Sequence, residues 1–268
     1  MLLIAIPVYG GMAYADFMMS VFNLCKDLNK YEISHEIKLI QNESLITRAR
    51  NGFVAMFMEN PNYTKLLFLD SDLIFNPITI LRMIKEQDDK SKLILGAIYP
   101  KKQLNWSKIK HFSNKVDTTE LEIRSTDLNY NFKYYKDSNN NKHQVKIENN
   151  FVEVNDLATG CMLIDKKAIS IIINKNRNSK YTNNCYGYGN SNTFYDIFKT
   201  GVVDGLYLSE DYYFCKLARD CGIELWADTQ ATLVHIGRHN YTGCLGAILQ
   251  DSSGETLDMD NQLQKQSN

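Results

Sequence analysis

Lys65-Leu66-Leu67-Phe68-Leu69-Asp70-Ser71-Asp72 is the stretch on which the fold turns. A short run of Leu and Phe without polar alternation reads as a strand buried on both faces, the habit of parallel sheets with helices on either side. Two carboxylates follow immediately. They leave the strand at its C-terminal end, where open α/β sheets bind their ligands. Residues 2–8 upstream are a similar apolar run, ending at Pro7-Val8-Tyr9 and the Gly10-Gly11 pair. Phe17, Met18, Val21, Leu24, Cys25 and Leu28 then recur at helical spacing, and residues 36–40 read as a second strand. Ile46, Ala49, Phe53, Met56 and Phe57 mark a second helix, with Arg48 and Arg50 near its start.

Downstream, Asn76-Pro77 predicts a helix start, with a capping residue followed by proline at the first helical position. Residues 93–98 read as the next strand. The alternation of strand and helix predicts an α/β fold: a Rossmann-like, mostly parallel central sheet flanked by helices, with a smaller antiparallel portion. Regularity weakens over 101–150, where Tyr130, Phe132, Tyr134 and Tyr135 alternate like a hairpin strand. It returns in strands at 151–156 and 158–164 and in a helix from Lys166. The stretch 174–206 is rich in Gly, Asn and aromatics, and Asn183 to Asn190 reads equally as a mobile surface loop or as a flap over a binding site. Ser209 is expected to cap a helix that Gly222 stops, and strands follow at 224–227 and 231–236. The expected organisation is one domain over 1–250, with halves at 1–99 and 100–250 and a polar, flexible tail at 251–268.

Composition narrows the partners. In 268 residues, 30 Lys and Arg face 31 Asp and Glu, a net charge of −1 that argues against a general grip on nucleic acid or anionic membrane. No stretch approaches the roughly 20 apolar residues that span a bilayer. None of Cys25, Cys161, Cys185, Cys215, Cys221 and Cys244 forms a CxxC pair, so a zinc ribbon is not expected. Reduced thiols and the lack of a basic leader before the first strand point to a cytoplasmic protein. The sequons at Asn42, Asn62, Asn105 and Asn240 are then chance matches.

Hard carboxylate oxygens such as those of Asp70 and Asp72 suit Mg²⁺ or Mn²⁺, which in turn hold diphosphates. A solvated acidic turn has the same letters, so the strand context carries the weight. Glu210-Asp211 at a helix start equally fits acids complementing the helix dipole. His235, at the end of an apolar strand, is either structural or an imidazole ligand beside carboxylates.

In this order, these pieces resemble the GT-A class of glycosyltransferases, in particular the family 2-like group. The resemblance covers roughly residues 2–99 and 151–237. It implies that Pro7, Val8 and Tyr9 form the edge near the nucleotide base, and that Asp70, Ser71 and Asp72 hold metal and nucleotide sugar. Arg48 or Arg50, within Ser44 to Asn51, contacts phosphate or base, and Gly160, in Thr159 to Met162, lies ahead of the acceptor. It further implies that Asp211 is the catalytic base, that Glu210 contacts acceptor or donor sugar, and that His235 joins Asp70 and Asp72 on the metal. The implied activity is hexosyl transfer from a nucleotide-diphosphate sugar, a UDP-sugar in the first instance, to a hydroxyl acceptor, with Mn²⁺ or Mg²⁺ and with inversion. A nucleotidyltransferase also needs paired carboxylates and metal, but Gly10-Gly11 lacks the spacing and lysine of a phosphate loop. An inactive binding module of the same fold is the other alternative, and it is disfavoured by the presence of both Asp72 and Asp211.

Overall fold

The computed structural model describes residues 1–90, 92–113, 118–125, 128, 130–136, 143–183 and 194–249. The expected tail, Cys185 and all but Asn183 of the expected flap lie outside them. The chain opens with β1 (Leu2–Val8), α1 (Ala15–Lys30), β2 (His35–Gln41), α2 (Ile46–Glu59), β3 (Lys65–Leu69), β4 (Leu73–Phe75), α3 (Pro77–Lys90) and β5 (Ile94–Ala97). A more irregular middle holds α4 (Trp106–Ser113), α5 (Glu120–Arg124), β6 (Asn131–Phe132), β7 (Tyr134–Lys136), β8 (His143–Val145) and β9 (Ile147–Glu148). Next come β10 (Phe151–Asp156), β11 (Cys161–Asp165), α6 (Lys166–Lys175), β12 (Gly201–Val203), β13 (Leu206–Leu208) and α7 (Glu210–Asp220). The described chain closes with β14 (Leu225–Asp228), β15 (Thr232–Ile236), β16 (Asn240–Cys244) and α8 (Leu245–Leu249).

The central sheet runs in the order β2-β1-β3-β11-β5-β14-β10-β6, with β9 also on β10. Most of its strands share one direction, and only β10 and β11 oppose it. The fold is therefore mixed α/β, with a mostly parallel central sheet flanked by helices and small antiparallel sheets beside it. Both faces are covered, which is why β1 is apolar throughout: Leu3 and Ala5 enter one core, and Leu2, Ile4, Ile6 and Val8 the other. On the first face Phe53 and Phe57 of α2 pack with Ile169 of α6 and Phe214 of α7. On the second, Phe17 and Leu24 of α1 pack with Ile80 and Met83 of α3.

Local chemistry sets several element ends. The Asn76 side chain accepts from the Ile78 amide at 3.1 Å, capping α3 as its Asn-Pro start predicts. Gly222 ends α7 with φ of 76°, in the left-handed region that glycine enters without strain. Ser209 departs from expectation. Its hydroxyl makes no capping bond to α7 and donates instead to the Asp211 carboxylate.

Two features of the topology were not read from the sequence. Strand β11 is inserted antiparallel between the parallel strands β3 and β5, with Cys161 opposite Leu69. And β15 leaves the central sheet for a three-stranded antiparallel one, β16-β15-β4, in which His235 lies opposite Leu73. Both bring late segments of the chain to the end of β3.

Phe198 joins the layers near that end. It stacks on Phe214 at 4.2 Å between ring centroids and meets Phe68 edge-on at 5.4 Å, fully buried. Phe198→Ala is expected to cost about 3–5 kcal/mol in a denaturant titration. A loss below about 1 kcal/mol would mean that the site collapses around the gap.

Candidate functional site

The Asp70-Ser71-Asp72 turn sits where β3 ends, beside the last residues of β1. Its backbone is held from several sides. The Asp70 amide donates to the Gly160 carbonyl at 2.9 Å, the Ile236 amide donates to the Asp72 carbonyl at 2.8 Å, and the Tyr14 amide reaches the Ser71 carbonyl at 3.5 Å. A cleft of about 680 Å³ opens in front, lined by Pro7, Val8, Tyr9, Asp70, Ser71 and Asp72, with Tyr14, Ile46 and Lys102 at its sides.

The two aspartates face different partners. Asp70 accepts from Arg50 Nη2 at 2.8 Å. Arg50 is 2% exposed, lies over the Phe68 ring at 5.0 Å, and places Nε 4.0 Å from Glu210 Oε1. Burial pulls its pKa down, but Asp70 and Glu210 more than offset this, so its net shift is upward. Asp72 Oδ2 lies 2.5 Å from Lys102 Nζ and 3.5 Å from His235 Nε2. Burial pushes the Asp72 carboxyl up, while His235 and Lys102 outweigh it and bring the group below its ordinary value.

His235 Nδ1 lies 2.9 Å from the Pro100 carbonyl. A carbonyl only accepts, so Nδ1 carries the proton and Nε2 turns towards Asp72. The Nε2 lone pair and the Asp72 carboxylate then face one another across 3.5 Å as two ligand atoms. The donor set, one hard carboxylate and one imidazole, fits Mn²⁺ and accommodates Mg²⁺. Asp70 reaches the same edge but is committed to Arg50. Among the described residues, no group of three or more His, Cys, Asp or Glu side chains converges around one point.

A second, smaller pocket of about 320 Å³ lies behind His235, lined by Tyr99, Lys101, Asp156, Ser209, Asp211 and Tyr212. The Asp72–His235 pair thus stands between the cleft and this pocket. The Asp211 carboxylate accepts from the Ser209 hydroxyl and, at 2.8 Å, from the Tyr212 amide. Burial pushes the Asp211 carboxyl above its ordinary value in spite of these bonds. Glu210 is pushed up as well, by burial first and then by the neighbouring Asp211 charge. A carboxylate raised in this way is a stronger base than one in water.

Gly160 closes the floor. Its amide donates to the Tyr99 hydroxyl at 3.1 Å, and a Cβ there would stand 2.1 Å from that oxygen and 2.8 Å from Asp70 Oδ2. The remaining sequence-derived residue, Arg48, pairs at 2.6 and 2.7 Å with Glu43, which itself lines the cleft. Tyr99 and Lys102 were not singled out from the sequence. The signal was similar to that for Asp70: Tyr99-Pro100-Lys101-Lys102 follows a buried strand, β5, with only Ile98 between.

No family model matches the chain, and no curated protein matches it. Among solved structures it is similar to "A197 from STIV", with 16% identity, 88% of this chain and 85% of that one covered, and a TM-score of 0.47. It is also similar to "GalNAc-T7 with UDP, GalNAc and Mn2+", at 10% identity and a TM-score of 0.48, covering 94% of this chain and 47% of that one. A third likeness is to "UDP-glucose pyrophosphorylase complexed with UDP-glucose", at 9% identity and a TM-score of 0.38, covering 94% and 97%. Among the described residues no helix is long and apolar enough to cross a membrane.

Gly160→Ala is expected to destabilise the protein by about 1–3 kcal/mol in thermal or denaturant unfolding, because Tyr99 and Asp70 must both move. An unchanged midpoint would show that the floor yields freely. The buried acids make a second test. Stability tied to their neutral forms is complete below the unfolded-chain carboxyl value near pH 4 and is lost as pH rises through their raised folded values. Relative to a Glu210→Gln/Asp211→Asn double variant, the wild type is expected to lose stability from about pH 4 upwards. A difference that stays flat from pH 4 to 7 contradicts burial of the two charges.

Proposed function

We propose that the chain is a metal-dependent glycosyltransferase that moves a hexose from a nucleotide-diphosphate donor, a UDP-sugar, to a hydroxyl acceptor with inversion. One observation carries the reading: the Asp72–His235 pair stands between a cleft lined by Pro7 to Tyr9 and Asp70 to Asp72 and a pocket lined by Asp211. A donor has room on one side of that pair, and an acceptor on the other.

Pro7, Val8 and Tyr9 offer an apolar edge to the base. Ser71, between the two aspartates, offers a hydroxyl and backbone amide at the turn. Asp72 and His235 would hold Mn²⁺ or Mg²⁺, with Asp70 sharing the ion or bonding the ribose while Arg50 fixes its position. The bound ion supplies Lewis-acid stabilisation of negative charge on the departing diphosphate. Asp211 takes the proton of the acceptor hydroxyl from the face opposite the leaving group, and its raised pKa suits that task. Glu210, also raised, holds acceptor or sugar. Arg50 balances Asp70 and Glu210 together, so the donor and acceptor sides are set by one cation.

The test is a panel of nucleotide sugars incubated with Mn²⁺ and scored for nucleotide release, which reports donor hydrolysis without a known acceptor. The reading expects release with at least one UDP-sugar and none after EDTA or in Asp72→Ala. Asp211→Asn is expected to lower turnover by roughly 10²–10⁴-fold while UDP-dependent thermal stabilisation is retained. Undiminished activity in EDTA, or full activity of Asp72→Ala, contradicts the metal role. Full activity of Asp211→Asn removes the base assignment.

A further inference from the structure

Lys102 lies in the cleft at a place that its length and charge explain. Its stem crosses Gly237, where a Cβ would stand 3.2 Å from Lys102 Cδ and 3.5 Å from Cγ. Gly237 does not adopt a positive φ, so the close approach of the lysine stem and of the Tyr241 ring, whose Cε2 would stand 3.3 Å from a Cβ, bears on glycine at this position rather than backbone freedom. The ammonium then meets Asp72 Oδ2 at 2.5 Å, and the side chain keeps 38% of its surface exposed on the cleft wall. The contrast with Arg50 is informative. Arg50 is locked in the core against Asp70, whereas Lys102 is a partly exposed cation on a four-carbon stem, resting on the carboxylate that faces His235.

The ammonium sits on Oδ2, the same Asp72 oxygen that faces His235 Nε2. An ion placed between that oxygen and the imidazole competes with the ammonium for it, and the four-carbon stem leaves a displaced ammonium within the same cleft. The group that then needs a cation is the anionic part of the ligand beside the metal.

We propose that Lys102 is a diphosphate-binding residue whose ammonium occupies Asp72 in the ligand-free protein and passes to the phosphate oxygens when a divalent cation takes its place. The proposal rests on the nucleotide-sugar reading above and adds a residue to it. Lys102 competes with the metal before the donor binds, and it cooperates with the metal afterwards. It thereby ties occupancy of the cation site to the presence of a diphosphate.

The experiment compares wild type, Lys102→Met and Lys102→Arg in three titrations: Mn²⁺ alone, UDP with saturating Mn²⁺, and uridine with saturating Mn²⁺. Methionine keeps the stem over Gly237 and removes the charge. Lys102→Met is expected to bind Mn²⁺ alone about 2- to 5-fold more tightly, since the competing ion pair is gone. It is expected to bind UDP about 10- to 100-fold more weakly, with uridine unchanged, because a charged hydrogen bond to phosphate is lost. Lys102→Arg is expected to retain most of the preference for UDP over uridine. Unaltered UDP affinity in Lys102→Met, or Mn²⁺ binding no tighter than in the wild type, overturns the proposal while leaving the glycosyltransferase reading in place. A wild type that binds neither Mn²⁺ nor UDP overturns both.

Discussion

A buried guanidinium holds this site together. Arg50 is shut into the core over Phe68, with Asp70 on one side and Glu210 on the other. Leaving such a charge uncompensated in the interior costs several kcal/mol, so the two acids cannot drift from it freely. Asp70 belongs to the end of β3 and Glu210 to the start of α7, elements separated by 140 residues of chain. One cation therefore fixes the distance between the acidic turn and the acidic helix start. Among the described residues, Arg50 Nε and Nη1 have no hydrogen-bond partner, so its two carboxylate neighbours are what make its burial tolerable.

The sheet delivers the remaining parts to the same place. Because β11 runs antiparallel between β3 and β5, its beginning lies beside the ends of its neighbours, and Gly160 arrives under Asp70. Because β15 pairs with β4, the histidine of a late strand lands beside the acidic turn, which β4 follows directly. The Tyr99 ring fills the corner edge-on to His235, and its hydroxyl accepts from Gly160. An acidic turn that would be floppy in isolation is thus tied by backbone bonds to β11, β15 and the start of α1. Preorganisation of this kind is what a site needs to stabilise charge without first rearranging.

Much of this was legible in sequence, for physical reasons that differ by element. Strands buried on both faces write themselves as unbroken apolar runs, so β1 and β3, and the acids that leave β3, stood out. The antiparallel insertion of β11 was not legible, because an apolar strand carries no mark of its direction. Strand β4 is only Leu73 to Phe75, too short to show a period, and without it the route from His235 to Asp72 was hidden. Arg48 and Arg50 looked equivalent as letters. Two positions on a helix are about 200° apart, so only one of them can face the core, and packing decides that it is Arg50. Lys102 was missed because a lysine in a polar stretch reads as surface, and its course past Gly237 brings together residues 135 positions apart. Ser209 was misassigned because the Asp211 side chain takes over at the helix start: it accepts from the Tyr212 amide and also from the Ser209 hydroxyl, which accepts from no helix amide.

The account's central claim is that the cleft before Pro7 to Tyr9 and the Asp70 to Asp72 turn takes a nucleoside diphosphate with its metal, and that Asp211 faces the same reaction centre from the other side. The most direct measurement is a crystal structure of the protein with Mn²⁺ and UDP. The account predicts uracil against the edge of β1, the diphosphate in front of the Asp70-Ser71-Asp72 turn, and the ion held by Asp72 and His235 Nε2. A nucleotide seated elsewhere, or an ion held away from Asp72 and His235, would contradict it.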